Sequence, residues 1–307
     1  MTKLLQTLAD GVSVGSLYAL IALGYTMVYG ILQFINFAHS DVFMMGAWFS
    51  YLLAKAAGWT GVVVAPWWAM LVVLLGAMAI CGTLGFLIER LAYRPLRNAP
   101  RLNVLITAIG VSLFLENTGQ LPFVFGTQPQ RMPSLLADRT LVTVADVNLR
   151  LVDVTVLLVA LSLMAALQWL VFRTKLGRAM RAVSFDTRVA SLMGINVGAV
   201  VSFTFVVGST LAAAAGFLYG MKYPGLNQSA HTTWVLLGLK AFVAAVIGGI
   251  GNVRGAMLGG LLIGLVELFC AAFLSPHLRD VYVFTILIIV LLVRPAGILG
   301  STTAEKV

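Results

Sequence analysis

The chain has 307 residues, of which 60% are hydrophobic and 10% charged, with a mean hydropathy of +0.99. Soluble domains carry roughly 25% charged residues, so a soluble fold is excluded and a membrane-embedded, all-α protein is expected. The net charge of +9 in such a chain points to basic cytoplasmic loops rather than to a nucleic-acid partner.

A bilayer-spanning helix needs about 20 mainly apolar residues. Stretches of that kind fall near 8–29, 34–54, 62–88, 102–125, 151–172, 199–220, 233–250, 255–274 and 281–293. The expectation is a polytopic helical bundle of about nine spans, with eight to ten allowed, forming one domain over 1–307. The first stretch follows Lys3 as a signal peptide would, but its length marks it as a retained helix.

The second span contains Asn36-Phe37-Ala38-His39-Ser40-Asp41. A broken helix is expected there, and Pro66 and Pro122 are further points where a helix could be discontinuous. Ser40 and Asp41 read as helix caps, whereas Asn36 and His39 fit either capping or the lining of an aqueous path. Cys81 and Cys270 lie in apolar stretches with no metal or disulfide spacing, so both read as packing residues.

Between 126 and 150 lies the longest connection away from the basic loops, and the alternation Val147 to Leu151 suggests a short extended segment. The loop 173–198 carries five basic residues. Met180, Val183, Val189, Leu192 and Met193, spaced near the helical period and ended by Gly194, suit a short amphipathic helix with no packing load. If 89–101 and 173–198 face the cytoplasm, that side holds 12 basic residues, from Arg90 to Lys306, against 7 on the other. The N-terminus is then periplasmic and the C-terminus cytoplasmic, with 173–198 a cytoplasmic coupling loop and 126–150 a periplasmic one.

Four-residue glycine spacings recur at Gly11 and Gly15, Gly216 and Gly220, Gly255 and Gly259, and Gly260 and Gly264, marking close helix contacts in the interior or at a subunit interface. The run Gly208 to Gly220 loosely echoes Gly15 to Gly30, as an internal repeat would. Ionisable and amide groups within the spans form the candidate translocation path: Asn36, His39, Asp41, Glu116, Asn117, Lys240 and Glu267. Lys240 has Glu267 or Glu116 as possible partners, and Glu116 with Asn117 is expected mid-span. No nucleophile or metal constellation is present, so the chain does not read as an enzyme. A transporter working alone would use Asp41, Glu116, Lys240 and Glu267 as an ion relay.

The sequence has no Gly-Lys dipeptide and therefore no P-loop of the common form. ATP, if used, is bound by other subunits. Gly15-Ser-Leu-Tyr-Ala-Leu20, Gly24-Tyr-Thr-Met-Val-Tyr-Gly30, Ile35-Asn-Phe-Ala-His39, Glu89-Arg-Leu-Ala-Tyr-Arg-Pro-Leu-Arg97, Gly248-Gly-Ile-Gly251 and Arg294-Pro-Ala-Gly-Ile-Leu-Gly300 resemble the signature segments of the branched-chain amino acid ABC-importer permeases. The resemblance implies a bacterial inner-membrane subunit that moves leucine, isoleucine and valine, or in related importers urea and short amides. It also implies a second permease subunit, two cytoplasmic ATPase subunits and a periplasmic substrate-binding protein. The coupling motif E-A-A-x-x-x-G of ABC importers is matched only at Ala190 and Gly194, with Arg178, Arg181, Asp186 and Arg188 as further coupling candidates in the same loop.

Overall fold

The computed structural model describes residues 2–60, 65–97, 99–137, 139–144 and 147–300. Lys306, counted above among the cytoplasmic charges, lies outside the described residues. The chain folds as an all-α bundle of α1 (Thr2–Leu32), α2 (Ala38–Ala56), α3 (Ala69–Ile88), α4 (Arg101–Gly119), α5 (Leu151–Arg173), α6 (Lys175–Phe185), α7 (Thr187–Leu192), α8 (Val197–Lys222), α9 (Thr232–Gly248), α10 (Val253–Phe273) and α11 (Arg279–Val293). Each expected span falls on one of these helices. Among the described residues, seven of the helical segments are long and apolar enough to cross a membrane, and α9 is a shorter apolar helix.

Helix ends depart from the hydropathy in ways that the backbone explains. Pro66 precedes α3 and Pro122 follows α4, so both prolines lie in connections between helices instead of interrupting them. Because α4 stops at Gly119, Glu116 and Asn117 occupy its last turn and not its middle. Residues 33–37 leave the helical path, with Gln33 at a φ of 55°, and α2 restarts inside the bundle at Ala38. Its N-cap is Phe37 without a side-chain bond. Ser40 instead returns its hydroxyl to Phe37 O at 3.0 Å, and Asp41 faces α4, so neither is a cap.

Four short strands lie at one end. Strand β2 (Thr140–Val144) pairs antiparallel with β3 (Val147–Arg150), the expected extended segment, and β1 (Gln130–Arg131) pairs with β4 (Gly225–Leu226). The same end holds the start of α1, whose Gln6 accepts from Asn148 N at 2.9 Å and whose Lys3 donates to Ala272 O at 2.6 Å. At the opposite end Ser184 on α6 donates to Gly30 O at 2.5 Å, and the chain after α11 returns as Ile298 N to Ile247 O at 2.8 Å. Loops 126–150 and 173–198 therefore sit at opposite ends of the bundle.

Apolar helices gain little from hiding apolar surface in lipid, so they associate where small residues let backbones touch. Helix α1, almost wholly buried, packs on α10, where Gly11 and Gly15 meet Gly260, Gly264 and Leu265. It meets α8 where Gly24 faces Gly208. Gly216 packs on Phe43 and Ala47 of α2, Gly255 on Gly248, and Gly259 on Ala244. These spacings serve the interior of this chain. The pairing is also duplicated: α3 packs on α8 as α10 packs on α1, α2 on α8 as α9 on α1, and α4 on α2 as α11 on α9. The loose echo between Gly15–Gly30 and Gly208–Gly220 falls on α1 and α8, the two helices that take equivalent places.

Replacing Gly264 by Ala drives a methyl group into the backbone of Gly15, whereas at Gly110 on α4 nothing lies within 4 Å. Overpacking of this kind costs about 1–3 kcal/mol or more. Thermal melting in detergent should show a clear drop for Gly264→Ala and none for Gly110→Ala; equal midpoints would remove the α1–α10 contact as a determinant of stability.

Candidate functional site

The close contact of α1 with α10 carries Glu267, a turn beyond Gly264, to the ring of Tyr18, whose hydroxyl donates to Glu267 Oε2 at 2.7 Å. Helix α9 comes in through Gly238, which has room for no more than hydrogen against Ser40. Lys240, half a turn on, then donates to Glu267 Oε1 at 2.7 Å. Its ammonium also lies 2.6 Å from Asp280 Oδ1 in the first turn of α11. Lys240 and Glu267 are only 3% and 5% exposed, so each depends on the others: an unpaired charge at this depth costs several kcal/mol. Of the two partners expected for Lys240, the structure selects Glu267, and Glu116 lies elsewhere.

Beside this cluster is a cavity of about 270 Å³, lined by Leu17, Tyr18, Ile21, Phe43, Tyr219, Leu237, Lys240, Glu267, Arg279 and Asp280 among others. It opens toward the end that carries the strands, since Tyr223, Thr233 and Arg279 at that end also line it. Phe43, its lining residue from α2, is held edge-on between Tyr219 and Trp234, both at 5.8 Å.

The other candidates form separate groups. Asp41 on α2 faces Ser112 and Glu116 on α4, which brings two carboxyl groups together, and its Oδ2 has no hydrogen-bond partner among the described residues. Asn36 accepts from the Tyr93 hydroxyl at 2.6 Å. The Nε2–H of His39 donates to Ile21 O at 3.2 Å, and its ring stands edge-on to Tyr25 at 4.7 Å. Gly24 leaves the space that this ring fills. Asn117 bonds back to Leu113 O of its own helix, at 2.7 Å.

Several polar centres gave no separate signal in the sequence. Tyr18, Asp280 and Arg279 complete the Lys240–Glu267 cluster. Lys222, counted above with the outer charges, is buried and ion-paired with Asp153, with Ser13 accepting at 3.1 Å. Glu89, in a π-helical turn (Glu89–Tyr93), is fully buried and bonded to Arg97 and Ser202. A lysine or aspartate near a predicted span end reads as a loop charge, and only tertiary packing reveals otherwise.

The expected single amphipathic helix in 173–198 is two helices, α6 and α7. Asp186 separates them and caps α7, accepting from Arg188 N at 2.8 Å and Val189 N at 2.9 Å. The loop also carries packing that the sequence did not suggest, since Gly177, Met180, Val183 and Ala190 are buried. Gly194 ends α7 with a φ of 82°, a left-handed position that suits glycine. Arg178, Arg181 and Arg188 are exposed, and Arg181 shares the Phe172 ring with Arg254, at 5.4 and 5.1 Å. Around them Phe185, Leu192 and Met193 stand 92%, 86% and 78% exposed.

An apolar bundle with an internal duplication and a charged, solvent-reaching cavity defines a multi-pass membrane permease. The family pattern described as branched-chain amino acid transport system / permease component matches residues 7–292. The high-affinity branched-chain amino acid transport system permease protein LivH of Escherichia coli (strain K12) is 42% identical over 306 residues, covering 99% of this chain and 97% of its own length. The corresponding protein BraD of Pseudomonas aeruginosa is also 42% identical, covering 99% and 98%. A probable permease LivH of Methanocaldococcus jannaschii is 26% identical over 93% of this chain and 89% of its own length. No solved structure matches. The chain belongs to the branched-chain amino acid transport permease family.

The structure places Asn36 and His39 in bonds that tie α1, α2 and the turn after α3 together. An Asn36→Leu change removes hydrogen-bonding capacity without burying a new polar atom. If Asn36 only ties these elements, uptake per assembled complex stays normal while thermal stability in detergent falls by about 1–3 kcal/mol, the cost of leaving the Tyr93 hydroxyl unpaired. Loss of uptake at unchanged stability would put Asn36 on the path.

Proposed function

We propose that this chain is the membrane-spanning permease subunit of an ATP-driven importer that carries branched-chain amino acids across a bacterial inner membrane. The observation that carries the reading is the end-to-end similarity, at 42% identity, to permeases of high-affinity branched-chain amino acid transport systems. In this reading a second permease subunit completes the membrane unit, two cytoplasmic ATPase subunits supply the energy, and a periplasmic binding protein delivers leucine, isoleucine or valine. ATP is bound on the partner subunits.

The loop 173–198 is the proposed coupling element. Phe185, Leu192 and Met193 leave apolar surface uncovered at one end of the bundle, beside the exposed Arg178, Arg181 and Arg188. Apolar surface rimmed by charge is what a protein partner covers. This end then faces the cytoplasm, where basic loops accumulate, and the strand-bearing end with 126–150 and the start of α1 faces the periplasm. The described C-terminal residues up to Gly300, at the coupling end, are cytoplasmic.

The test is leucine uptake into vesicles holding the full complex, driven by ATP, with urea as the competing substrate. Leucine accumulation that depends on ATP and on the binding protein is expected; accumulation of urea alone would move the chain to another transport class. Charge reversal at Arg178, Arg181 and Arg188 together should abolish ATPase co-purification and uptake while the protein remains inserted. Undiminished ATP-driven uptake would remove this loop from coupling.

Orientation is tested with a cysteine-free background, Cys81→Ala with Cys270→Ala. A cysteine introduced at the exposed Ser134 should react with an impermeant thiol reagent added outside intact spheroplasts, as should one at Asn148. Labelling only after the membrane is opened would invert the topology.

A further inference from the structure

The charge cluster at the cavity is unevenly bonded. Glu267 and Asp280 supply two carboxylates, and Lys240 alone contacts both closely, at 2.7 and 2.6 Å. The second cation, Arg279, is 56% exposed and stands 3.8 Å from Glu267 Oε1 and 3.7 Å from Asp280 Oδ1, beyond hydrogen-bonding distance. The carboxylate oxygens are therefore tightly held on one side and loosely balanced on the other. A cation that enters from the cavity can take the place of Arg279 beside them. The displaced guanidinium then lies next to the newcomer with planar donors that match a carboxylate.

A molecule with an ammonium and a carboxylate on the same carbon satisfies both sides and leaves the net charge of the cluster unchanged. Simple cations or anions satisfy one side and strand the other. The rest of the wall is apolar, with Leu17, Ile21, Phe43, Leu236 and Leu237 facing the same space. At about 270 Å³ the cavity is just below the roughly 300–1,000 Å³ of sites for drug-sized ligands, so it suits one small molecule and no peptide. Tyr18 fixes Glu267 from behind at 2.7 Å, which preorganises the acceptor.

We infer that this cavity is a binding station for the zwitterion of one apolar α-amino acid. Glu267 and Asp280 receive its ammonium, Arg279 receives its carboxylate, Lys240 holds the two acidic side chains in place, and the aliphatic wall takes the side chain. The inference rests on the importer reading above and deepens it, since it gives the permease its own recognition of the substrate after the binding protein has released it.

The experiment uses the assembled complex in detergent and in vesicles. Binding is followed by thermal shift with three probes: L-leucine, 4-methylpentanoate, which lacks the ammonium, and 3-methylbutylamine, which lacks the carboxylate. The complex is kept free of binding protein, so the permease alone responds. L-leucine is expected to stabilise the complex and the two analogues are not. Arg279→Ala, at an exposed side chain whose loss leaves the buried pairs intact, should weaken the leucine response by roughly tenfold or more, with Arg279→Lys restoring part of it. Asp280→Asn should weaken it as well, while Gly110→Ala on α4, where nothing lies within 4 Å, should leave it unchanged. Equal stabilisation by leucine and either analogue, or an unchanged leucine response in Arg279→Ala, overturns the station. Absence of any leucine response from a wild-type complex that imports leucine also overturns it and leaves the importer reading standing. Failure of that complex to import leucine at all would instead be a failure of the importer reading.

Discussion

The bundle depends on how closely backbones approach along α1. Hydrocarbon surrounds the outer helices, so hiding apolar side chains gives no preference for one packing over another. Dispersion contacts between backbones, available only where side chains are absent, supply it. Gly11 and Gly15 against Gly260 and Gly264, and Gly24 against Gly208, set α10 and α8 at fixed depth beside α1. From those contacts the polar geometry follows. Glu267 meets Tyr18 because Gly264 meets Gly15, and His39 reaches Ile21 O because Gly24 leaves room for its ring.

The duplicated packing gives this arrangement a second consequence. Helices α1 to α4 and α8 to α11 repeat one set of pairings around the contact between α1 and α8. The cavity lies between the two sets, with Leu17, Tyr18, Ile21 and Phe43 from the first and Leu237, Lys240, Glu267, Arg279 and Asp280 from the second. Transporters built from repeats place their substrate sites at such a boundary, because a small rotation of one set against the other changes which side the site faces. The charges all belong to the second set, while the apolar wall comes from both, Val14, Leu17, Ile21 and Phe43 from the first and Leu236, Leu237, Leu268 and Ala271 from the second, so any such rotation changes the shape of the cavity and not only its exits.

The parts legible in the sequence were those with a one-dimensional signature. Runs of apolar residues located every spanning helix, four-residue glycine spacing located the interior contacts, and the cost of lone charges in hydrocarbon predicted a partner for Lys240. What escaped depends on depth, which hydropathy does not measure. Arg279 and Asp280 open α11 and read as loop charges, yet Asp280 folds in against Lys240. Tyr18 sits in an apolar run where an aromatic residue carries no signal. Ser40 and Asp41 have cap chemistry, but a cap requires the helix to begin beside them, and α2 begins at Ala38. In loop 173–198 the basic and apolar spacing was legible, while the break at Asp186 and the burial of Met180 and Val183 depend on the floor of helix ends beneath.

Those helix ends also connect the two ends of the molecule through continuous packing. Helix α6 is bonded to the end of α1 through Ser184 and Gly30, and Arg181 shares the Phe172 ring with Arg254 at the start of α10. Arg254 and Glu267 lie on the same helix, separated by 13 positions in the sequence, a rise of about 20 Å at about 1.5 Å per residue. Helix α10 is continuous between them, so it connects the α6 region to the Glu267 carboxylate by one uninterrupted element. Helix α1 connects the same region, from Gly30, to Tyr18, the other half of that hydrogen bond. The bond between Tyr18 and Glu267 thus joins α1 and α10, which both reach the α6 region and the charged wall of the cavity, as α9 also does through Val246 and Lys240.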